Sequence, residues 1–397
     1  MPWPLKDGGA IAMYQLSSGL LQQNCRLTLA IPITDKHDVK MEELPDKIRS
    51  SCDIYTTRIN TRITLAGAFF NLFSSKPYYI SRYNKKKFKD LLVRILSENR
   101  FDIIIFESLK VSPYLQLARK ISNARIFLRS HNVEHLIWKR MAGHSSGLKK
   151  LYLKILSSRL EKYELETIPQ FDGLISISPS DLTFFRARNI NIPAISIPAG
   201  LELEKYPFQP EKAEKNTIFH IGALDWLSNL EAVKWFLEKV WPEIFEKLPH
   251  FQFFIAGRNT PEEIKKLTIP NVFILGEVEN AIAFMQSRQI MIVPLLSGSG
   301  LKIKIVEGMA LGKIIISTTV GAEGTGAVHQ RNILIANTPE EFVSVFKWIS
   351  EHPEEAGKIG FEARQHALQH FDNRLLMGKL MQFFTEQTPI QAVNNFS

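Results

Sequence analysis

The stretch Ser297-Gly298-Ser299-Gly300-Leu301-Lys302-Ile303-Lys304-Ile305-Val306-Glu307-Gly308-Met309-Ala310-Leu311-Gly312-Lys313 decides how the rest of the chain is read. It follows the apolar run Ile290–Leu295, which has the length and composition of a buried strand. It then enters a segment, Lys304–Leu311, with helical spacing of apolar residues. Small residues between a strand and a helix let the backbone approach a ligand, and the free amides at the helix start attract anions. Lys302 and Lys304 add positive charge beside those amides. Glu307 lies three residues after Lys304, about one turn along, where a carboxylate can accept two hydroxyl hydrogen bonds from a vicinal diol. A grip for phosphate beside a grip for a diol is what a nucleoside diphosphate requires. A plain strand–turn–helix with surface lysines is the alternative.

The same strand–helix alternation runs outward in both directions. Arg26–Ile33, Phe101–Ser108, Ala124–His131 and Gly173–Ser178 read as strands in the first half. Ile11–Gln22, Lys85–Asn99, Pro113–Ile121 and Leu151–Glu166 read as helices between them. In the second half the strands are Thr217–Gly222, Phe251–Ala256, Val272–Leu275, Ile290–Leu295, Ile314–Ser317 and Ile333–Ile335. The helices are Asn229–Lys247, Pro261–Lys266, Ala281–Arg288, Lys304–Leu311 and Pro339–Glu351, followed by a long helical tail over Glu354–Glu386. Such alternation predicts an α/β chain with doubly wound parallel sheets. The number of strands predicts two domains of that class. The expected division is 1–197, a linker at 198–216 rich in proline and then polar, 217–370, and a C-terminal helix and tail at 371–397 that packs back on the first domain. Gly8 and Gly9 open a helix with no strand before it, so the first domain is expected to be one strand short at its start.

At 397 residues the chain is long enough for two such cores. Two cysteines, Cys25 and Cys52, cannot build a disulfide framework, which points to a reducing, cytoplasmic setting. No apolar run is long enough to span a bilayer. The net charge of +9 is uneven. Residues 1–195 hold 30 Lys and Arg against 17 Asp and Glu, a balance of +13; the remainder holds 19 against 23, a balance of −4. The first half therefore suits an anionic partner. Lys85-Lys86-Lys87-Phe88-Lys89 opens a helix, where positive charge opposes the macrodipole. With the apolar stretch Ile63–Phe73 nearby, an anionic membrane surface is a candidate partner. The bland reading places Leu65, Phe69, Leu72 and Phe73 in the core. No aromatic stacking platform accompanies the lysines, so nucleic acid is not expected.

On these residues the chain resembles a family-four retaining glycosyltransferase of the GT-B fold, with two facing Rossmann-like domains and a cleft between them. The resemblance covers nearly the whole chain. It rests on Gly298-Ser299-Gly300 with Lys302 and Lys304 before Glu307, on Gly222-Ala223-Leu224-Asp225-Trp226-Leu227-Ser228-Asn229, on Ala256-Gly257-Arg258, on Gly276-Glu277-Val278, and on Gly321-Ala322-Glu323-Gly324. In the first half, Lys6-Asp7-Gly8-Gly9 and Arg129-Ser130-His131-Asn132-Val133-Glu134 match as well. The common family pattern has two glutamates seven residues apart. Glu307 matches the second, and Ser299 stands at the first.

The resemblance implies a sugar moved from a nucleotide diphosphate sugar to a glycan or lipid-linked acceptor, in cell-surface polysaccharide or glycolipid synthesis, with no further cofactor and no metal. It implies a donor site of Gly222, Arg258, Val278, Gly298, Ser299, Gly300, Leu301, Lys302, Lys304 and Glu307. His131, Lys302 and Glu307 take the catalytic roles, and Gly8, Gly9 and His131 the acceptor side. Residues 222–229 carry no basic residue, so the diphosphate falls to Lys302, Lys304 and Arg258. Glu107, at a strand end, is a further candidate. Rival readings are another GT-B activity such as an epimerase, a degenerate binding subunit, and zinc chemistry at His131-Asn132-Val133-Glu134-His135, which has the His-x-x-Glu-His order.

Overall fold

The computed structural model describes residues 8–34, 44–64, 67, 70–71, 74, 76–143, 145–298 and 300–387. The chain divides into two units: Met1–Gly200 with Asn373–Ser397, and Leu201–Asp372.

The first unit contains β1 (Leu27–Ile33), β2 (Cys52–Arg58), β3 (Ile103–Glu107), β4 (Arg125–Ser130), β5 (Gly173–Ser176) and β6 (Ala194–Ser196). β1 and β2 pair in parallel, and β3-β4-β5-β6 form a second parallel sheet. Among the described residues, no strand pairs with the far edge of β1 or the far edge of β3. Successive side chains on β4 go to opposite faces, as a strand requires. Ile126 and Leu128 join Phe106, Leu174 and the helices Lys86–Glu98, Leu115–Ile121, Gly147–Thr167 and Pro179–Arg186. Phe127 joins Leu16 and Leu20 of helix Gly8–Gln22 and Leu380, Phe383 and Phe384 of helix Asn373–Gln387. Both faces of the sheet are thus covered, which is why its strands read as unbroken apolar runs.

The second unit contains β7 (Glu214–Ile221), β8 (Gln252–Ala256), β9 (Val272–Gly276), β10 (Arg288–Val293), β11 (Ile314–Ser317) and β12 (Leu334–Ile335). All are parallel, in the order β12-β11-β10-β7-β8-β9. The order reverses between β7 and β10. One core face stacks Phe236, Phe253, Phe342, Phe346 and Trp241.

Several elements differ from the sequence reading, helix Pro179–Arg186 among them. β2 and β6 were absent from it. β2, Cys-Asp-Ile-Tyr-Thr-Thr-Arg, has little apolar signal because it lies at a sheet edge, and β6 has only three residues. The stretch Asn229–Lys247 is not one regular helix. A π-helical turn, Phe236–Val240, joins helices Leu227–Trp235 and Trp241–Lys247. Pro242 opens the second helix and has no N–H to donate back, so the ladder must re-register there. The tail is two helices, Pro353–His370 and Asn373–Gln387. They part at Phe371–Asp372, where the Phe371 carbonyl accepts from the Leu201 amide at 2.8 Å and Asp372 pairs with Leu201 as an isolated bridge.

Candidate functional site

The reversal of strand order in the second unit is where open α/β sheets bind ligands, at the carboxyl ends of the strands. The loops that leave β7 and β10 carry most of the expected donor residues. After β10 the chain reaches Gly298 at φ 131° and Gly300 at φ 74°, a left-handed backbone that glycine adopts without strain. Helix Ile303–Ala310 then begins, with Lys302 at its N-cap. The helix is pressed onto the sheet at Gly308, where any side chain would meet the Met291 sulfur. Gly324, at φ 81°, leaves room for the backbone of Leu301, so Gly321–Gly324 lies against the same loop.

Two side chains of this helix define the site. The Lys304 amine donates to Asn229 Oδ1 at 2.8 Å, and the Asn229 amide donates in turn to the Ala223 carbonyl at 2.8 Å. A Cβ on Gly222 would lie 2.8 Å from the Lys304 amine. The β7 loop has no cation of its own, and the fold supplies one from residue 304. Burial, with the nearby charge of Lys302, pulls the Lys304 amine down to about 7. Beneath it the buried His220 ring is held neutral by burial and by Lys304, its Nδ1 against the Ile292 carbonyl at 3.3 Å. One turn on, Glu307 is half-buried and accepts from the Tyr206 hydroxyl at 2.9 Å. Burial raises the Glu307 carboxyl, while Tyr206 and Lys304 work against that rise. Tyr206 is fixed through its carbonyl, which accepts from Arg364 at 3.0 Å. Neither Tyr206 nor Asn229 was among the expected site residues. Tyr206 is distant in sequence from the helix it serves, and Asn229 is marked only by its place in the first turn of helix Leu227–Trp235.

The remaining donor residues sit around this pair. Lys302 turns its amine to the Gly300 carbonyl at 2.7 Å. Ser297 bonds to Ser228 at 3.1 Å and to Glu231 at 3.0 Å, tying the β10 loop to helix Leu227–Trp235. Arg258 follows β8, and its carbonyl accepts from Leu224 of the β7 loop at 2.9 Å. Val278 follows the edge strand β9, further along the same end of the sheet. Ser299 lies outside the described residues.

In the first unit the expected residues also converge at strand ends. His131 follows β4, and its Nε2 meets Glu107 Oε2 at the end of β3 at 2.6 Å. Arg129, 1% exposed, bonds to Glu107 Oε1 at 3.2 Å and to the Ala12 carbonyl of helix Gly8–Gln22 at 3.1 Å. Gly8 and Gly9 open that helix. Burial works against the Glu107 carboxylate, but Arg129 and then His131 outweigh it and hold it at about 2. Ser108, the next residue, has φ 101°, a conformation a non-glycine residue rarely adopts. Lys6 and Asp7 lie outside the described residues, as do Leu65, Phe69, Leu72 and Phe73. The His131 and His135 rings take separate carboxylates: His135 bonds to Glu164 at 2.6 Å. Among the described residues no three His, Cys, Asp or Glu side chains are grouped to hold a metal ion.

Residues 215–352 match the family model described as Glycosyl transferases group 1. An uncharacterized 44.6 kDa protein in the cps region of Klebsiella pneumoniae is 23% identical over 96% of each chain. A phosphatidyl-myo-inositol mannosyltransferase of Mycolicibacterium smegmatis is 25% identical over 45% of this chain and 47% of its own. Among solved structures, Anabaena HepE in complex with UDP superposes with a TM-score of 0.66 at 12% identity, covering 96% of this chain and 98% of that one. The fold is α/β with parallel sheets, shared with GT-B glycosyltransferases.

Proposed function

We propose that this chain is a retaining glycosyltransferase that moves a sugar from a nucleotide diphosphate sugar to a hydroxyl of a glycan or lipid-linked acceptor, in the assembly of cell-surface polysaccharide or glycolipid. The observation that carries the reading is the pair Lys304 and Glu307, one turn apart at the start of helix Ile303–Ala310, at the reversal of strand order. Lys304, Lys302 and the first helix amides face the charge of a diphosphate. Glu307, with one oxygen already held by Tyr206, keeps the remaining lone pairs for a ribose diol. The match of this unit to glycosyl transferases group 1, and a neighbour solved with UDP, support a nucleotide donor.

In this reading the bond between the anomeric carbon and the diphosphate oxygen breaks. The acceptor oxygen bonds to that carbon from the same face, and its proton passes to the departing phosphate oxygen. The lysines and helix amides stabilise the negative charge that grows on the leaving group. The reading assigns the His131 imidazole, oriented by Glu107, a catalytic role on the acceptor side. No metal and no resident cofactor enters the scheme.

The test is a thermal-shift panel of nucleotide diphosphate sugars, followed by NMR of the product's anomeric configuration. A donor that stabilises the protein and yields a product of retained configuration is expected. An inverted product would reject the retaining mechanism. Binding without transfer or donor hydrolysis would turn the reading toward a binding subunit, and no stabilisation by any nucleotide would reject the donor site.

A further inference from the structure

Helix Leu227–Trp235 buries Ala232 and Val233 in the second unit. Its outward side is not simply polar. Trp226, at the N-cap, and Leu227 are 64% and 76% exposed, and Leu296, just after β10, is 39% exposed. Leu227, Leu296 and Trp235 line one cavity of about 490 Å³. An apolar cluster open to water and rimmed by charge marks an interaction site.

The rim says what kind of partner fits. The charged residues that line the cavity run Glu231, Lys234, Glu238, Lys239 along the chain: acid, base, acid, base. The last two belong to the π-helical turn Phe236–Val240. Turns of this kind recur at functional positions. The four charges cancel, so a partner of one sign would gain at two of them and lose at the other two. A second copy of the same helix, laid antiparallel, presents the order base, acid, base, acid. Each carboxylate then meets an amine, whereas a parallel copy would set like against like. The contacts these side chains already make do not compete strongly. Lys234 meets Glu263 at 2.6 Å and Glu231 accepts from Ser297 at 3.0 Å, both at exposed positions, where such contacts contribute little.

We propose that two copies of this chain associate across a two-fold axis through this face. Glu231 and Lys234 of each copy lie opposite Lys239 and Glu238 of the second copy, and Trp226, Leu227 and Leu296 are covered between them. A two-fold contact uses the same patch on both copies, so it requires a surface that complements itself in charge and in shape. The charges fix the antiparallel direction, and the apolar side chains supply the driving force. The inference does not depend on the donor reading.

Sedimentation equilibrium of the full chain, at concentrations up to about 200 µM and at about 50 mM salt, tests it. The average mass should rise with concentration from that of one chain toward that of two. Leu227→Ser with Leu296→Ser should weaken association at least about 100-fold, since the axis counts each substitution twice. Lys234→Glu alone and Glu238→Lys alone each set like charges opposite one another and should weaken it about tenfold. An equimolar mixture of those two variants restores every pair and should recover the affinity of the unsubstituted chain. Circular dichroism should be unchanged in all of them, because the altered side chains are at the surface. A single chain at every concentration would overturn the proposal and leave the cavity to a partner of another kind. Association that survives the serine pair would place the contact on a different surface. A mixture no tighter than its components would overturn the antiparallel pairing.

Discussion

Raising the pH through the range where Lys304 titrates should weaken donor binding, and the structure sets the size of the effect. In the empty site the amine is held at about 7 by burial and by Lys302. A bound diphosphate supplies the missing counter-charge and should restore the amine to the usual lysine range, about 10.4. The charged form is therefore the one that binds. Affinity is greatest below pH 7 and is lost as the pH rises through the free-site value. Between about pH 7 and about pH 9 the apparent Kd should rise about 50-fold, which is ~2.3 kcal/mol. Binding at about pH 8 should take up ~0.9 proton per site.

Isothermal titration of a nucleotide diphosphate sugar, repeated in buffers of different ionisation enthalpy, reads both quantities. The sugar-linked diphosphate does not titrate in this range, so the proton must come to the protein. Lys304→Arg should retain binding and flatten the profile, while Lys304→Met should remove proton uptake and bind weakly throughout. At the acid end a second fall is expected, because the raised Glu307 carboxyl protonates there, losing its charge and turning one acceptor oxygen into a donor. A Kd that stays constant from about pH 6 to about pH 9, with no proton uptake, would refute the placement of the diphosphate beside Lys304.

Other substitutions separate catalysis, binding and stability. Lys302→Ala should lower turnover by about 100-fold or more with little change in urea denaturation, because its amine faces the loop and not the core. Glu307→Ala should weaken donor binding by about 10- to 100-fold, measured by titration calorimetry, since it removes a charged acceptor from the ribose. Glu107→Gln should destabilise the first unit by about 3 kcal/mol by leaving the buried Arg129 without its counter-charge. In the unsubstituted chain the stability contributed by Glu107 is fully present above the usual carboxyl value of 4.5 and is lost as pH falls through about 2, which acid titration of unfolding would show. Gly257→Ala would force a methyl group against the Gly222 carbonyl and should cost the second unit about 2 kcal/mol, read by urea denaturation.

The parallel sheets and most of their helices were legible in the sequence because strands buried on both faces must be apolar throughout. Edge elements were not, since β2 and β6 bury little and carry little signal. The division at 370/371 was drawn as a domain boundary, while helical periodicity carried the reading of a single tail helix across it; in the structure the helix ends there, where Leu201 pairs with Asp372. The donor loop was legible for a different reason. Its chemistry depends on residues close in sequence: glycines for the turn, lysines at the helix start, and a glutamate one turn on.

By itself, then, the sequence determined the class of fold and the local grip at residues 298–307. The tertiary structure decided what surrounds that grip. It brought Asn229 and Gly222 to the Lys304 amine and Tyr206 to Glu307, and joined His131, Glu107 and Arg129 across two strands. Local spacing can specify a turn and a helix face. The Asn229 partner of the Lys304 amine and the carboxylate that holds the His131 imidazole lie far from them in the chain, and only packing sets the distances that charge and hydrogen bonding obey.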